Sequence, residues 1–510
     1  MLDPALKRSL RQLRSVRARR PDGSDPGRLA GWREETADAL DESALRLVFA
    51  SDRARAAAEA EAERERARAA ALRSAGAENR SRPSALVGEA APMQRASNRT
   101  VTVDLTYGDE YFGQLGPFEV ELGWWSSVDE VVARATEAAG VPVLVARLVE
   151  GRSGEPGHGG RVRYHAEALR RPTGIEPGAP DGGTAALLGP AEHRAAWATP
   201  VGLREALAWA EAELAAAGRP SAAPARQIRT WNLSGLFRLP TSTGADAWLK
   251  TTTPAFNAQE GEVIALFGGV APRLVPTVLA ADAPTGRLLL DHVPGEDCWS
   301  PSAGTVAEVV PRLVAAQAAL ADRPADLARL RDRTPRALAA QLTARLDRLA
   351  EETDLTPEEL ERLAGFAAEL PGLLDRLAAC GLPETLLHGD FHPGNWRSDG
   401  AGTVVVDYSD SCLGHPALDG LRPRAYLGEE AWQHHARVWT EAWRRHAPGS
   451  DPGRALELAE PLYHLSYALR YQEFLDHIEP SERPYHEGDP AAELRALLAC
   501  RPADRQAGRA

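Results

Sequence analysis

Residues 386–396 read "LLHGDFHPGNW", and residues 404–410 read "VVVDYSD". The two segments bring Asp390, Asn395 and Asp407 close together in the chain, between apolar runs. The whole sequence contains only five asparagines, so one inside this cluster needs an explanation. Two glycines and a proline in the first segment favour a loop over a helix, and a loop lets the three polar side chains converge.

The spacing of these polar groups fits phosphoryl transfer. Asn395 follows Asp390 by five positions, and Asp407 follows Asn395 by twelve. The reaction needs a carboxylate that orients the attacking hydroxyl and oxygen ligands that hold Mg²⁺ against the nucleotide phosphates. Asp390 suits the first role, and Asn395 and Asp407 suit the second.

A second unusual feature is the scarcity of lysine. Lysine and arginine together number 59, yet the only lysines are Lys7 and Lys250. Lys250 lies in the strand-like run "DAWLKTTT". Because lysine offers a compact point charge and arginine a wide planar fork, we interpret Lys250 as a functional residue.

The segment H-G-D-F-H-P-G-N followed by V-V-D resembles the signature of the aminoglycoside phosphotransferase and choline-kinase-like enzymes, which are small-molecule relatives of the protein kinases. The likeness covers roughly residues 225–480, about half of the chain. It implies a two-lobed protein-kinase-like fold that uses ATP and Mg²⁺. It also implies that Asp390 is the catalytic aspartate and that Asn395 and Asp407 are the magnesium ligands.

The same resemblance assigns roles further upstream. Lys250 corresponds to the strand lysine that contacts the α- and β-phosphates of the nucleotide, with Glu260 as its helix partner and Glu262 as the alternative. "LLLDHVPGED" corresponds to the connector between the lobes, whose backbone binds adenine near Asp291, His292 and Val293.

Downstream of the catalytic segment, "LGHPALD" resembles the stretch that usually follows the metal-binding aspartate. We therefore expect Asp419, its last residue, to brace the catalytic loop.

The sequence also departs from the protein kinases. "TWNLSGLFRLP" stands where a G-x-G-x-x-G loop would be, and only Gly235 lies in that hairpin. Tyr408 and Ser409 stand where Phe-Gly would follow the metal-binding aspartate, and no activation segment is recognisable. We therefore expect fewer loop contacts to the phosphates and no control by loop phosphorylation.

Upstream of the kinase-like part, the pattern changes from helical to strand-like. "TVTVDLTYG" and "FEVELGWW" alternate as strands do, and "SVDEVVARATEAAG" predicts a helix that starts at Ser127 and ends at a glycine. This part predicts a small α+β domain of its own, with a size normal for a domain.

The fold class that follows is α+β. We expect residues 1–95 to form a helical, partly disordered N-terminal segment, 96–172 a small α+β accessory domain, and 173–224 a linker with an amphipathic helix. We expect 225–293 to form the sheet-rich N-lobe of the kinase-like fold and 294–500 its helical C-lobe with the catalytic loop.

Composition narrows the class of protein. The formal net charge of -13 argues against nucleic-acid binding and slightly favours a cationic small molecule. No apolar run reaches the roughly 18 residues of a membrane span, and the N-terminus lacks the apolar stretch of a secretory signal. The four cysteines are scattered, which suggests a reduced, cytoplasmic protein.

The sequence thus predicts an ATP-dependent phosphotransferase that moves the γ-phosphate of ATP to a hydroxyl of a small molecule. An antibiotic-like compound, an amino alcohol, a sugar and a nucleoside all remain open as acceptors, as does GTP as the donor. The alternative is a catalytically silent nucleotide-binding or protein-interaction module that uses the kinase-like fold.

Overall fold

The computed structural model describes residues 99–153, 157–231, 233–253 and 259–500. The chain divides into two units. One comprises residues 1–95 and 424–433, and the other comprises 96–423 and 434–510. Of the first unit only 424–433 are described, so the expected helical segment 1–95 lies outside the described residues.

The accessory part contains a four-stranded sheet and one helix. Its strands follow the order β2-β1-β4-β3, with antiparallel outer pairs and a parallel central pair. Alternate side chains of β1 are buried beneath the helix, because successive strand residues point to opposite faces. The elements are β1 (Arg99–Tyr107), β2 (Glu110–Val120), α1 (Asp129–Ala139), β3 (Val143–Arg152) and β4 (Gly160–Ala168).

Helix α1 begins later than the sequence predicts. Its first residue is Asp129, and Val128 precedes it without a side-chain cap, so the expected start at Ser127 is wrong. Ser127 instead forms an isolated β-bridge with Arg229, and its carbonyl accepts a hydrogen bond from Arg99. These contacts hold Ser127 in the sheet-like backbone that precedes the helix. Gly140 ends the helix with a φ of 67°.

The N-lobe is a five-stranded antiparallel sheet in the order β5-β6-β7-β9-β8. The sequence predicts helix α3 within a linker. Its Leu203 and Leu214 share one core cluster with Phe237 of the sheet, so the buried face of the helix packs against the N-lobe. Leu144 of β3 joins the same core, so the accessory sheet and the N-lobe share one apolar cluster. The elements are α2 (Gly182–Leu188), α3 (Pro200–Ala216), β5 (Arg226–Thr230), β6 (Ser234–Leu239), β7 (Ala247–Thr252), α4 (Glu260–Val270), β8 (Val278–Asp282) and β9 (Arg287–Asp291).

The C-lobe is mainly helical. Its long helices are α5 (Ala303–Ala321), α7 (Pro335–Arg345), α9 (Pro357–Ala378), α11 (Glu429–His446), α12 (Pro452–His477) and α13 (Asp489–Ala499). Shorter helices are α6 (Pro324–Leu327), α8 (Leu349–Glu352) and α10 (Ala417–Leu421).

Two small sheets in the C-lobe position the polar cluster. Their strands are β10 (Glu296–Asp297), β11 (Asp332–Arg333), β12 (Thr385–Leu387), β13 (Trp396–Ser398), β14 (Thr403–Val405) and β15 (Cys412–Gly414). One sheet has the order β10-β13-β14, and the other has the order β11-β15-β12. The catalytic segment lies between β12 and β13, and Asp407 lies between β14 and β15.

The accessory sheet contacts both lobes through β3. The side chain of Gln227 accepts a hydrogen bond from the Val145 N–H at 2.8 Å and donates one to the Val145 carbonyl at 2.7 Å. From the C-lobe, Glu482 accepts from the Leu148 N–H at 2.8 Å, and the Ser481 hydroxyl donates to the Leu148 carbonyl at 3.0 Å.

The architecture is α+β with a sheet-rich lobe and a helical lobe, as the sequence predicts. The proposed domain boundaries remain a prediction, since the accessory and kinase-like parts form one unit. Among the described residues, no helix combines the length and the apolar character that crossing a bilayer requires.

Candidate active site

A cluster of ion pairs around the buried Lys250 joins the two lobes at the cleft. Lys250 Nζ on β7 lies 2.9 Å from the carboxylate of Glu260 on α4 and 2.5 Å from Oδ1 of Asp407 in the C-lobe. The side chains of Lys250 and Glu260 are 9% and 4% exposed, whereas Asp407 is 47% exposed. A cation at this position offsets the charge of both carboxylates.

Charge and burial set the protonation of this cluster. Burial alone lowers the pKa of Lys250, but Asp407 and Glu260 hold that pKa above its ordinary value. Burial tends to raise the pKa of Asp407, while the ammonium of Lys250 lowers it to about 2. Burial raises the pKa of Glu260 and Lys250 opposes the rise. Lys250 and Asp407 are therefore charged at neutral pH.

The helix partner of Lys250 is Glu260. One of its oxygens, Oε1, also accepts a hydrogen bond from the Tyr408 N–H at 3.1 Å, which ties α4 to the residue after Asp407. Glu262, the alternative, lies on the exposed side of the helix and faces Arg329 at 3.5 Å. The geometry therefore favours Glu260.

Asp390 is held at both carboxylate oxygens. Oδ1 accepts from Arg422 Nε at 2.7 Å and from the Tyr467 hydroxyl at 3.3 Å. Oδ2 lies 3.3 Å from Asn395 Nδ2 and 3.4 Å from His392 Nε2. Burial tends to raise the pKa of Asp390, but the guanidinium of Arg422 holds it well below its ordinary value. The carboxylate is thus ionised and fixed in orientation.

Asn395 and Asp407 form a donor set suited to Mg²⁺. The Asn395 amide nitrogen donates to the Asp390 carbonyl at 2.9 Å, so the amide oxygen remains for another partner. The Val406 N–H donates to the Asn395 carbonyl at 2.9 Å and keeps the two ligand candidates adjacent. Asp407 has a φ of 64°, a strained value for a non-glycine residue. An amide oxygen and a carboxylate fit this hard cation.

The expected brace of the catalytic loop is present. Asp419 is buried and accepts from the N–H groups of His388 at 2.7 Å and Gly389 at 2.9 Å, and from Gln317 Nε2 at 2.8 Å. Gly389 has a φ of 83°, and a Cβ there would lie 2.0 Å from the Asp410 carbonyl oxygen. The loop therefore needs glycine at this position.

The three connector residues are partly engaged within the protein. The Asp291 N–H donates to the Thr277 carbonyl at 2.9 Å, and the His292 N–H donates to Asp291 Oδ1 at 2.9 Å. The Val293 carbonyl accepts from Arg397 Nε at 3.3 Å. Adenine binding by Asp291, His292 and Val293 stays a prediction.

Sequence reasoning missed the residues that hold the carboxylate of Asp390. Arg422 and Tyr467 contact Asp390 from 32 and 77 positions away. Arg470 donates to the Gly389 carbonyl at 3.3 Å and pairs with Asp410. No local motif marks these positions, because Tyr467 and Arg470 reach the loop from α12 and Arg422 reaches it from the segment after α10.

Buried histidines predict a steep acid dependence of stability. Burial lowers four histidine pKa values from 6.5, one to about 3 and three to about 4. Between pH 6.5 and 4 the unfolded chain therefore binds more protons, so the free energy of unfolding falls as pH falls. Each histidine contributes on the order of 3 kcal/mol. The four are His165, His388, His415 and His435.

Buried carboxyls with raised pKa values, Glu260 among them, act in the opposite direction. Burial raises the pKa of Asp419 to about 7, so the folded protein binds this proton more tightly than the unfolded chain does. On acidification that proton stabilises the folded state. Its contribution to the free energy of unfolding offsets only about that of one histidine. We expect thermal melts to show a Tm that drops steadily below pH 6.5. A variant of the exposed His446 to asparagine should keep the same profile, and a flat Tm down to pH 4 would contradict the expectation.

A comparison with protein-family models finds a match over the part of the chain that contains the candidate site. Residues 237–458 match the family model of the phosphotransferase enzyme family. The match confirms the resemblance to the aminoglycoside phosphotransferase and choline-kinase-like enzymes over this part of the chain.

Several solved structures are similar to this chain. They include a macrolide 2'-phosphotransferase from Brachybacterium faecium, at 18% identity over 58% of this chain and 99% of that chain, with a TM-score of 0.39. A choline/ethanolamine kinase family protein from Mesorhizobium loti is 18% identical over 57% and 99%, with a TM-score of 0.40. An ethanolamine kinase from Plasmodium vivax is 12% identical over 56% and 83%, with a TM-score of 0.40. A comparison with curated proteins finds no match.

Proposed function

We propose that the protein transfers the γ-phosphate of ATP to a hydroxyl group of a small molecule. The observation that carries this proposal is the bridge from Lys250 of the N-lobe to Asp407 of the C-lobe, a 2.5 Å contact between residues 157 positions apart. The contact supports the proposal because a phosphotransferase needs a phosphate-binding cation and a metal-binding carboxylate in one cleft.

In this proposal Lys250 binds the α- and β-phosphates, and Glu260 holds its ammonium in position. Asn395 and Asp407 are the residues that hold Mg²⁺, which neutralises charge on the phosphates when it is bound. Asp390 accepts a hydrogen bond from the acceptor hydroxyl and directs its oxygen toward the γ-phosphorus.

The contacts of Asp390 suit this orienting role. Arg422 and Tyr467 fix its carboxylate at Oδ1, and the lowered pKa keeps it ionised. An aspartate with so low a pKa is a weak general base, so its main contribution is to position the hydroxyl. The proton of the hydroxyl leaves late, when the oxygen is already bonding to phosphorus.

Two observations support a proposed class of acceptor, namely the compounds for which similar enzymes are named and the net charge of this chain. The similar structures include enzymes named for macrolides and for ethanolamine. We place the acceptor of this chain among hydroxylated small molecules of the antibiotic, amino-alcohol and sugar types. The net charge of -13 slightly favours a cationic compound.

An acceptor screen tests this proposal against the silent-module alternative. ADP release from ATP and Mg²⁺ is measured with aminoglycosides, macrolides, amino alcohols, sugars and nucleosides, with the Asp390→Asn variant as the blank. We expect acceptor-dependent release with at least one class and none from the variant. Thermal stabilisation by ATP and Mg²⁺ without turnover on any acceptor would favour a binding module instead.

A further inference from the structure

A cluster of potential metal ligands lies where α12 and α13 meet. Glu460 and His464 are four residues apart on α12, so they share one face of the helix. Cys500 directly follows α13. Each of the three places one ligand atom within 4.8 Å of the other two, and all three are half-buried.

The residue types specify the class of metal. An imidazole nitrogen, a thiolate and a carboxylate together suit zinc and its borderline-soft neighbours, whereas Mg²⁺ and Ca²⁺ prefer oxygen alone. Ligand bonds of about 2.0–2.3 Å require the three atoms to approach by roughly 1 Å. The Cys500 thiol donates a hydrogen bond to the Ala496 carbonyl at 3.4 Å, which metal binding as a thiolate would replace.

A fourth residue orients the imidazole. His464 Nδ1 lies 2.7 Å from Glu493 Oε2 on α13. A proton on Nδ1 that is donated to this carboxylate leaves the lone pair on Nε2 as the metal-binding atom. Carboxylates in this position fix the tautomer of histidine ligands and raise their basicity. Glu493 thus supplies the carboxylate that accepts a hydrogen bond from the ring nitrogen of His464 that does not bind the metal.

We propose that Glu460, His464 and Cys500 form a site for Zn²⁺ or a similar divalent transition metal, with water in the fourth position. The metal joins the end of α13 to the middle of α12. The residue before His464 is Tyr463, whose hydroxyl accepts from Arg422 Nη1 at 3.1 Å. The site therefore stabilises the helix that supports the contacts of Asp390, at a place separate from the nucleotide cleft.

Cobalt spectroscopy tests the site independently of phosphotransferase activity. The full-length chain, free of purification tag and treated with chelator, is titrated with Co²⁺ in the absence of nucleotide. We expect one equivalent to produce a thiolate-to-cobalt charge-transfer band and the visible bands of tetrahedral Co²⁺. Cobalt bound to Asn395 and Asp407 would give no thiolate band, so the two sites are distinguishable.

Variants then assign the ligands. Cys500→Ser should remove the charge-transfer band, while Cys298→Ser, at another half-buried cysteine, should retain it. Glu493→Gln should weaken binding about 10–100-fold. If a variant at Cys500 fails to fold, His464→Ala gives the same readout. A spectrum without the thiolate band, or a band that persists in Cys500→Ser, overturns the proposal.

Discussion

Replacement of Asp390 with asparagine is expected to lower kcat about 10²–10⁴-fold while the fold is retained. Asparagine keeps an oxygen that can accept from Arg422 Nε, so the side chain stays in position. It loses the negative charge that orients the acceptor hydroxyl and receives its proton. The KM for ATP should change little, because Asp390 contacts no residue assigned to the nucleotide other than Asn395.

Steady-state kinetics with the acceptor found by screening measure this effect. Asp347→Asn, the same substitution at an exposed position, is the matched control and should leave kcat unchanged. Circular dichroism verifies that both variants fold. A kcat for Asp390→Asn close to the parent value would exclude Asp390 as the catalytic residue.

Replacement of Lys250 with methionine is expected to abolish turnover and to destabilise the protein by about 3–5 kcal/mol. The loss of stability arises because Glu260, 4% exposed, loses its cation and must either bury an unpaired charge or take up a proton. The loss of turnover arises because no other cation contacts both Glu260 and Asp407 among the described residues. Thermal melts and ADP release measure the two effects separately.

The double variant Lys250→Met, Glu260→Gln separates the structural role from the functional one. Replacement of the unpaired Glu260 carboxylate by an amide should restore much of the stability. An apolar and a neutral polar side chain then stand in place of the broken ion pair. Turnover should remain absent. Recovery of turnover in the double variant, or a Lys250→Met protein as stable as the parent, would contradict the assignment.

The sequence predicted the cluster around Asp390 because its chemistry is local. Asn395 and Asp407 lie within seventeen positions of Asp390, and loop-forming residues separate them. Lys250 was predicted from a different signal, the near absence of lysine elsewhere. The structure brings these four residues together, while their catalytic and metal-binding roles stay predictions.

Other features depend on packing and could not be predicted. The resemblance favoured Glu260 over Glu262, but packing alone decides which of them faces Lys250. The support of Asp390 by Arg422 and Tyr467 depends on tertiary contacts between distant segments. The sequence also could not predict that α3 belongs to the N-lobe core, because an amphipathic pattern does not identify the surface against which the apolar face of a helix packs.

The hydrogen bonds from both lobes to strand β3 have a mechanical consequence. Gln227 of the N-lobe and Glu482 of the C-lobe form hydrogen bonds to Val145 and Leu148, which lie three residues apart on this strand. Any movement of one lobe relative to the other must therefore break one of these sets of hydrogen bonds or carry strand β3 with it.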